Sequence, residues 1–384
     1  MAVAWLALQL ASPSTRAYAV GVSLAAYSIP GAVVGLAVAG RLARFQPRRL
    51  LLADGVLRLT LLSGVPILHA AHELTLWAFV VLVACSSLFM SVGRGGYVAL
   101  IADLVPAERR FAANTLVSTT EMITLGMVGP AIGGVLIVGI GAVWVIGVDA
   151  LSFAALIWAA VGLPGVSAPT KSDGERRLSL RRLLHRPNIV WLLALTLIFY
   201  GLYGPFETAL PLFVTTDLHS GPGLYGLLWG AFGLGAVVGG LWAGTLGEIR
   251  RRDTFALAVV AGWGIAAALV GATSVAAISA VGMLVGGAIY APYPAVMTTT
   301  LQSSLPDNEL AAGAVGWSSL ENLVVPTTTA LGGPLVAAIG ARMTILTSGI
   351  ATVGLAALVS GARLRRRETA LQGADAAAVS PAKR

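Results

Sequence analysis

Glu121 and Glu321 are carboxylates in surroundings that make ionisation costly. The first stands in STTEMITLGMVGPAIGG, residues 118–134, and the second ends PDNELAAGAVGWSSLE, residues 306–321. Desolvation favours the protonated form of a carboxylic acid. An acid among small and apolar residues therefore holds a proton in one environment and releases it in another. That is the chemistry of a proton carrier, or of a counter-charge for a ligand. The other use is structural, with each carboxyl satisfied by nearby Ser, Thr or Asn and serving to fix packing.

Three further places offer similar chemistry. Glu207 closes FYGLYGPFE, residues 199–207, where Phe199, Tyr200, Tyr203 and Phe206 recur at helical spacing. Gly204-Pro205 is expected to break or kink that helix, which leaves a cavity-lining aromatic surface and a packing stripe both open. Asp149 is a lone acid in an apolar run, fit for a counter-charge or a structural hydrogen bond. Arg94 needs a carboxylate or a polar cavity. Asp54 and Arg58 form an i, i+4 pair beside the basic turn GRLARFQPRR, residues 40–49, and read as part of a gate.

No enzyme chemistry competes. The four His are scattered, no metal-ligand spacing occurs, and SVGRGG, residues 91–96, lacks the lysine of a phosphate loop. No cofactor is implied. Cys85 is the only cysteine, so no internal disulfide forms.

The elements that position these residues are membrane helices. Of 384 residues, 57% are hydrophobic and 11% charged, against about 25% charged in soluble domains. Apolar blocks of roughly 20 residues match the span of about 30 Å of hydrocarbon. They fall at 18–40, 50–70, 75–101, 113–138, 142–163, 189–214, 224–247, 255–272, 275–301, 313–339 and 343–362. The net charge of +8 is not a nucleic-acid footprint, because 21 of the 25 Lys and Arg fall in alternate connections and the final tail. That asymmetry puts those segments in the cytoplasm. The expected organisation is an N-terminal half over 1–163, a cytoplasmic linker over 164–188, a C-terminal half over 189–362, and a disordered basic tail over 363–384.

The two halves repeat. Pro106 and Pro306, Ala112 and Ala312, Ser118 and Ser318, and Glu121 and Glu321 each differ by 200. GPAIGGVL near 129 echoes ALGGPLV near 330, and the basic turn at 40–49 echoes GTLGEIRRR at 244–252. The same offset sets Met1 opposite residue 201, midway along a span. MAVAWLALQL therefore reads as half a helix, with an upstream apolar stretch expected and a half-length first helix as the alternative.

Two six-helix halves joined by a basic linker resemble the major facilitator superfamily. Three motifs carry the resemblance: the basic turn with Gly40, Arg44, Arg48 and Arg49; the helix-5 glycines Gly126, Gly129, Gly133 and Gly134 with Pro130; and DALSF at 149–153 together with ADLVPAERRFAAN before helix 5. The last is similar to the enterobactin and macrolide exporter branch. The resemblance implies alternating access between the halves and proton-driven export. It links the helix-4 arginine, Arg94, to coupling and makes helix 7, with Tyr200, Tyr203 and Phe206, a cavity-lining helix; Glu121, Glu321, Glu207 and Asp149 are coupling or substrate candidates from their own placement in apolar segments. The family's loop acid falls at Arg44, whereas the second copy keeps one at Glu248, so the first-half latch is not of the usual kind.

The function expected is secondary active export of a small amphiphilic compound (a drug, siderophore or secondary metabolite) from a monomer in the cell membrane. Its partners are the substrate, protons and lipid, and not nucleic acid. A metabolite importer and a non-transporting scaffold are the alternatives. A cysteine placed at Ser172 in a Cys85→Ser background should resist an impermeant thiol reagent applied to intact cells. Rapid labelling there would reverse the orientation.

Overall fold

The computed structural model describes residues 1–42, 46–90, 120, 124, 128–162, 187–245, 252–294, 296–297, 300 and 307–379. These include twelve helices of nine residues or more: α1 (Ala2–Leu10), α2 (Arg16–Leu42), α3 (Pro47–Ala70), α4 (Leu76–Ser87), α5 (Gly129–Ile140), α6 (Ala142–Gly162), α7 (Pro187–Thr216), α8 (Pro222–Thr245), α9 (Arg252–Ala272), α10 (Ala276–Tyr290), α11 (Asp307–Ile339) and α12 (Ala341–Val379). No strand occurs among the described residues. In lipid, a helix satisfies its backbone polar groups within its own segment, so this class follows from the apolar composition. Seven of the helices are long and apolar enough to cross a membrane.

Short turns make the helices run up and down. One end of the bundle carries the α1–α2, α3–α4, α5–α6, α7–α8, α9–α10 and α11–α12 connections. Two of these are single residues, Gly141 with φ +84° and Gly340 with φ +82°. A left-handed φ favours glycine because it has no Cβ to clash. The two sit 199 residues apart, at the same point of each half.

The packing repeats as the sequence does. α3 lies along α6 as α9 lies along α12, and α2 pairs with α4 as α8 pairs with α10. The halves meet through α2 against α11 and α5 against α8, which are equivalent pairs under the same exchange. The fold is thus an all-α polytopic membrane protein built from two pseudo-symmetric bundles, with the nine-residue α1 at the seam.

Side chains repair what proline removes. Pro30 has no N–H to offer the Ala26 carbonyl one turn earlier. Ser87 Oγ of α4 donates to that carbonyl at 3.2 Å, and Gly31 brings the two helices close enough for it. Of the break or kink expected at Gly204-Pro205, the break does not occur: α7 continues through Pro205 and Pro211 to Thr216. Neighbouring helices hold it there: Ser348 Oγ of α12 donates to the Leu202 carbonyl, and Thr208 Oγ1 donates to Thr329 O of α11 at 2.6 Å. Gly204 permits this approach, since a Cβ there would run into Thr328 and Thr329.

Three boundaries differ from the sequence reading. The span read as 275–301 is interrupted: its α-helix runs to Tyr290, a turn follows at 291–292, where Pro292 cannot donate, and the described residues from Tyr293 to Thr300 are helical again. The span read as 75–101 is α-helical from Leu76 to Ser87, followed by a turn, and 91–101 lie outside the described residues. The tail expected to be disordered is helical to Val379, because its alanines carry the highest helix propensity.

The outer surface is suited to lipid. Trp77 and Trp144 are exposed near one end, and Trp158 and Trp242 near the other. Tryptophan prefers the two membrane interfaces, so the pairs mark the slab. Inside, glycines let α8 and α10 touch: a Cβ at Gly235 would strike the α10 backbone, whereas Gly354 has no atom within 4 Å. Gly235→Ala should lower unfolding stability in detergent by about 1–3 kcal/mol. Gly354→Ala should be neutral or stabilising. Equal effects would contradict the α8–α10 approach.

Candidate functional site: a cavity between the halves

A cavity of about 510 Å³ lies at the seam. Among the described residues its N-half lining is Ser28 and Ala32 of α2 with Met90, and its C-half lining is largely aromatic. Phe199, Tyr200 and Tyr203 come from α7, Phe232 from α8, Trp263 from α9 and Tyr290 from α10. α11 supplies Glu321, Val325 and Pro326.

Close helix contacts seal one end. A Cβ at Gly21 of α2 would sit 3.1 Å from Ala330 O and 3.2 Å from Gly333 of α11. A Cβ at Gly134 of α5 would sit 2.8 Å from Gly226 Cα of α8. Trp5 of α1 stacks on Tyr225 of α8 with centroids 6.1 Å apart. These contacts cluster at the end carrying the short turns. Glu321 lies twelve residues before Gly333, or about 18 Å along α11, so the cavity sits well inside the slab.

The aromatic wall is braced from behind. Trp263 meets Tyr203, Phe206, Phe232 and Tyr290 at centroid distances of 5.9, 5.5, 5.6 and 6.3 Å. Tyr200 and Tyr290 share a hydroxyl hydrogen bond of 3.0 Å. Tyr293 hydrogen-bonds Thr196 at 3.0 Å. Glu321 is an electrostatic neighbour of Tyr200, Tyr290 and Tyr293. The cavity thus combines a carboxylate, phenol hydroxyls and ring surfaces.

The structure redistributes the residues expected from sequence. Tyr200 and Tyr203 line the cavity. Phe206 is fully buried behind the wall, because one helical stripe is too wide to face a single cavity. Glu207 is not on the wall either. Its Oε2 accepts from Thr329 Oγ1 at 3.3 Å, so the carboxylate is held in the α7–α11 interface. Phe232, Trp263 and Tyr290 escaped the sequence reading; the aromatic pair in YAPYP, residues 290–294, was their one available signal.

Asp54 and Arg58 form the expected pair at 3.0 Å, but both side chains are nearly buried. Arg58 lies over the Phe153 ring of α6 at 5.2 Å. Tyr27 of α2 is beside it, and Asp149 is within its electrostatic reach. The pair thus joins α3 to α6 and lies beside α2 within the N-half.

In the basic turn, Arg48 donates to Val161 O at 2.8 Å. It thereby satisfies a carbonyl at the C-terminus of α6, where positive charge is favoured. Arg49 is exposed, and Gly40 lies near the end of α2. Among the helix-5 residues, Gly129 and Pro130 begin α5, Gly133 faces Met1, and Gly134 faces α8. The motif packs across the two halves. Arg44, Arg94, Glu121, Gly126 and Glu248 lie outside the described residues.

Comparisons with known proteins agree with this architecture. A family model described as transmembrane secretion effector matches residues 1–312. The enterobactin exporter EntS of Citrobacter koseri is 28% identical over 355 residues, covering 87% of this chain and 81% of that protein. EntS of Shigella flexneri is 27% identical over 353 residues, with the same coverage. The crystal structure of the nucleoside transporter NupG superposes with a TM-score of 0.66 at 14% identity, covering 94% of this chain and 93% of that one. At that identity it speaks to the fold alone.

Arg58→Met should cost about 3–5 kcal/mol of stability, because it leaves Asp54 as a buried charge without its partner. The double variant Asp54→Leu/Arg58→Met should recover most of that loss in detergent unfolding. Simple additivity of the two changes would show that the pair is not coupled.

Proposed function

The chain belongs to the transmembrane secretion effector family of major facilitator transporters, and on that premise we propose that it exports a small amphiphilic organic compound against inward proton flow, by alternating access. Membership makes it a multi-pass membrane transporter rather than an enzyme. Proton coupling, the alternating mechanism, the substrate and a cytoplasmic C-terminus belong to our reading.

The observation that carries it is the place of Glu321. It stands on the wall of a cavity bounded by both halves and closed at one end. The bias of Lys and Arg toward the opposite connections supports assigning the closed end to the outer face. Opening that end would part α2 from α11 and α5 from α8, where glycines keep the contacts smooth. Glu321 would then meet the outside, take a proton there and lose it to the inside after the reverse motion. Substrate leaves by the same alternation. A carboxylate that meets both compartments in turn links the two fluxes without ATP.

The relatives' printed name supports a siderophore-like secreted compound, and the mixed aromatic and phenolic wall suits an amphiphile. Glu121 is the repeat partner of Glu321, and our reading gives it the equivalent place in the N-half. Asp149 and Glu207 hold other carboxyl positions, within reach of Arg58 and in the α7–α11 interface, and Arg94 remains a third coupling candidate. We take the working unit to be the monomer, since one chain supplies both walls.

Glu321→Gln keeps the shape of the side chain but cannot ionise. In proteoliposomes it should abolish export driven by a pH gradient while downhill exchange of substrate survives. Glu121→Gln should do the same if the coupling is shared. Unchanged pH dependence in both single variants and in the double variant would end the assignment of coupling to these acids.

A further inference from the structure

Two arginines open α3 at the end of the bundle away from the short turns. Arg48 and Arg49 follow Pro47 in a first turn that holds no acid, and the Gln46 side chain makes no cap bond. The start of a helix carries partial positive charge and favours anions. Two cations there are unfavourable unless negative charge lies near. Arg48 finds some on α6, where a terminal nitrogen donates to Val161 O at 2.8 Å. A guanidinium has five N–H donors, and the buried Nε of Arg48 has no acceptor among the described residues. Arg49 is exposed. The next acid along α3, Asp54, is held by Arg58 at 3.0 Å.

α6 sets the depth of these groups. Trp158 is 81% exposed and Val161 55%, and the two stand three residues apart on its lipid-facing side. Val161 is about 4.5 Å farther along the axis than Trp158. A lipid-facing tryptophan sits at the membrane interface. The guanidinium bound to Val161 O therefore lies beyond that ring, in the headgroup layer. Arginine matches phosphate oxygens with paired N–H donors. Ring and guanidinium thus come in the order in which a phospholipid presents its chain and its phosphate. A zwitterionic headgroup brings a cation of its own and fits less well.

We propose that Arg48 and Arg49, with Trp158 beneath them, bind the headgroup of an anionic phospholipid at the α3–α6 end of the N-half. Such a lipid offsets the two cations at the head of α3 and ties that helix to the end of α6. The assignment needs neither the transport reading nor a direction of export.

The test uses the full chain in nanodiscs of dioleoylphosphatidylcholine at neutral pH. Brominated-chain phosphatidylglycerol or phosphatidylcholine is titrated in, and the quenching lost in Trp158→Phe reports the lipid beside that ring. Phosphatidylglycerol should associate about tenfold more strongly than phosphatidylcholine, and less so in high salt. Arg49→Gln leaves the Arg48–Val161 bond in place and should lower the ratio about fivefold. Arg48→Gln/Arg49→Gln should bring it to about one. At the opposite end, the quenching lost in Trp144→Phe should show a ratio of about one in the unaltered chain. Equal association of the two lipids beside Trp158 would overturn the assignment. So would a ratio that survives Arg49→Gln, or the same preference at both rings. Displacement of the brominated phosphatidylglycerol by equimolar inorganic phosphate would mark a site for a free anion and overturn the lipid as occupant.

Discussion

Backbone hydrogen bonding in a medium without water governs this molecule. Every N–H and C=O inside the slab must find a partner in protein, since each unsatisfied group costs several kcal/mol. Helices meet that demand within themselves, so the chain is a set of rods with very short turns. What varies is how the rods touch. Where Pro30 removes a donor, Ser87 on the next helix takes its place at the Ala26 carbonyl. That repair ties α2 to α4. α7 stays helical through two prolines and is joined to α11 and α12 by side-chain hydrogen bonds.

Close approach is the second consequence. Lipid tails give helices no reason to hide apolar side chains from one another, so small residues decide which faces meet. Glycines bring α8 to α10 within the C-half. Others bring α2 to α11 and α5 to α8 across the seam. The former contacts make each half one body. The latter are a surface without bulky interdigitation, which is what two bodies that part and rejoin require. A cavity remains where the seam is not filled, and it is there that a carboxylate appears.

Charge is handled differently in the two halves. The N-half keeps Arg58 with Asp54, Tyr27 and Asp149 in an internal hub. The C-half keeps Glu207 beside Thr329 and turns Glu321 to the cavity. Near the turn end, Arg342 joins Asp217 at 2.9 Å and Ser274 at 2.8 Å, clamping α12 to α7 and to the α9–α10 turn. Hub and clamp hold helices within one half. Glu321 alone of these groups stands on the cavity wall.

The sequence by itself determined the class and the repeat that sets Pro106, Ala112, Ser118 and Glu121 against Pro306, Ala312, Ser318 and Glu321. Those features follow from composition and length, which are one-dimensional. It also picked out Glu321, because an acid in an apolar run is conspicuous wherever it points. It did not reveal that Phe206 lies buried behind the cavity wall, that Trp263 lines that wall, or that Asp54 and Arg58 lie inside the N-half. A soluble helix shows its inner face by being polar on the other side, whereas a membrane helix is apolar all round. Lipid, neighbouring helices and cavity accept the same residue types, so pattern cannot separate them. Only the packing of α7 against α11 and α12, and of α2 against α3 and α6, decided which side chains meet.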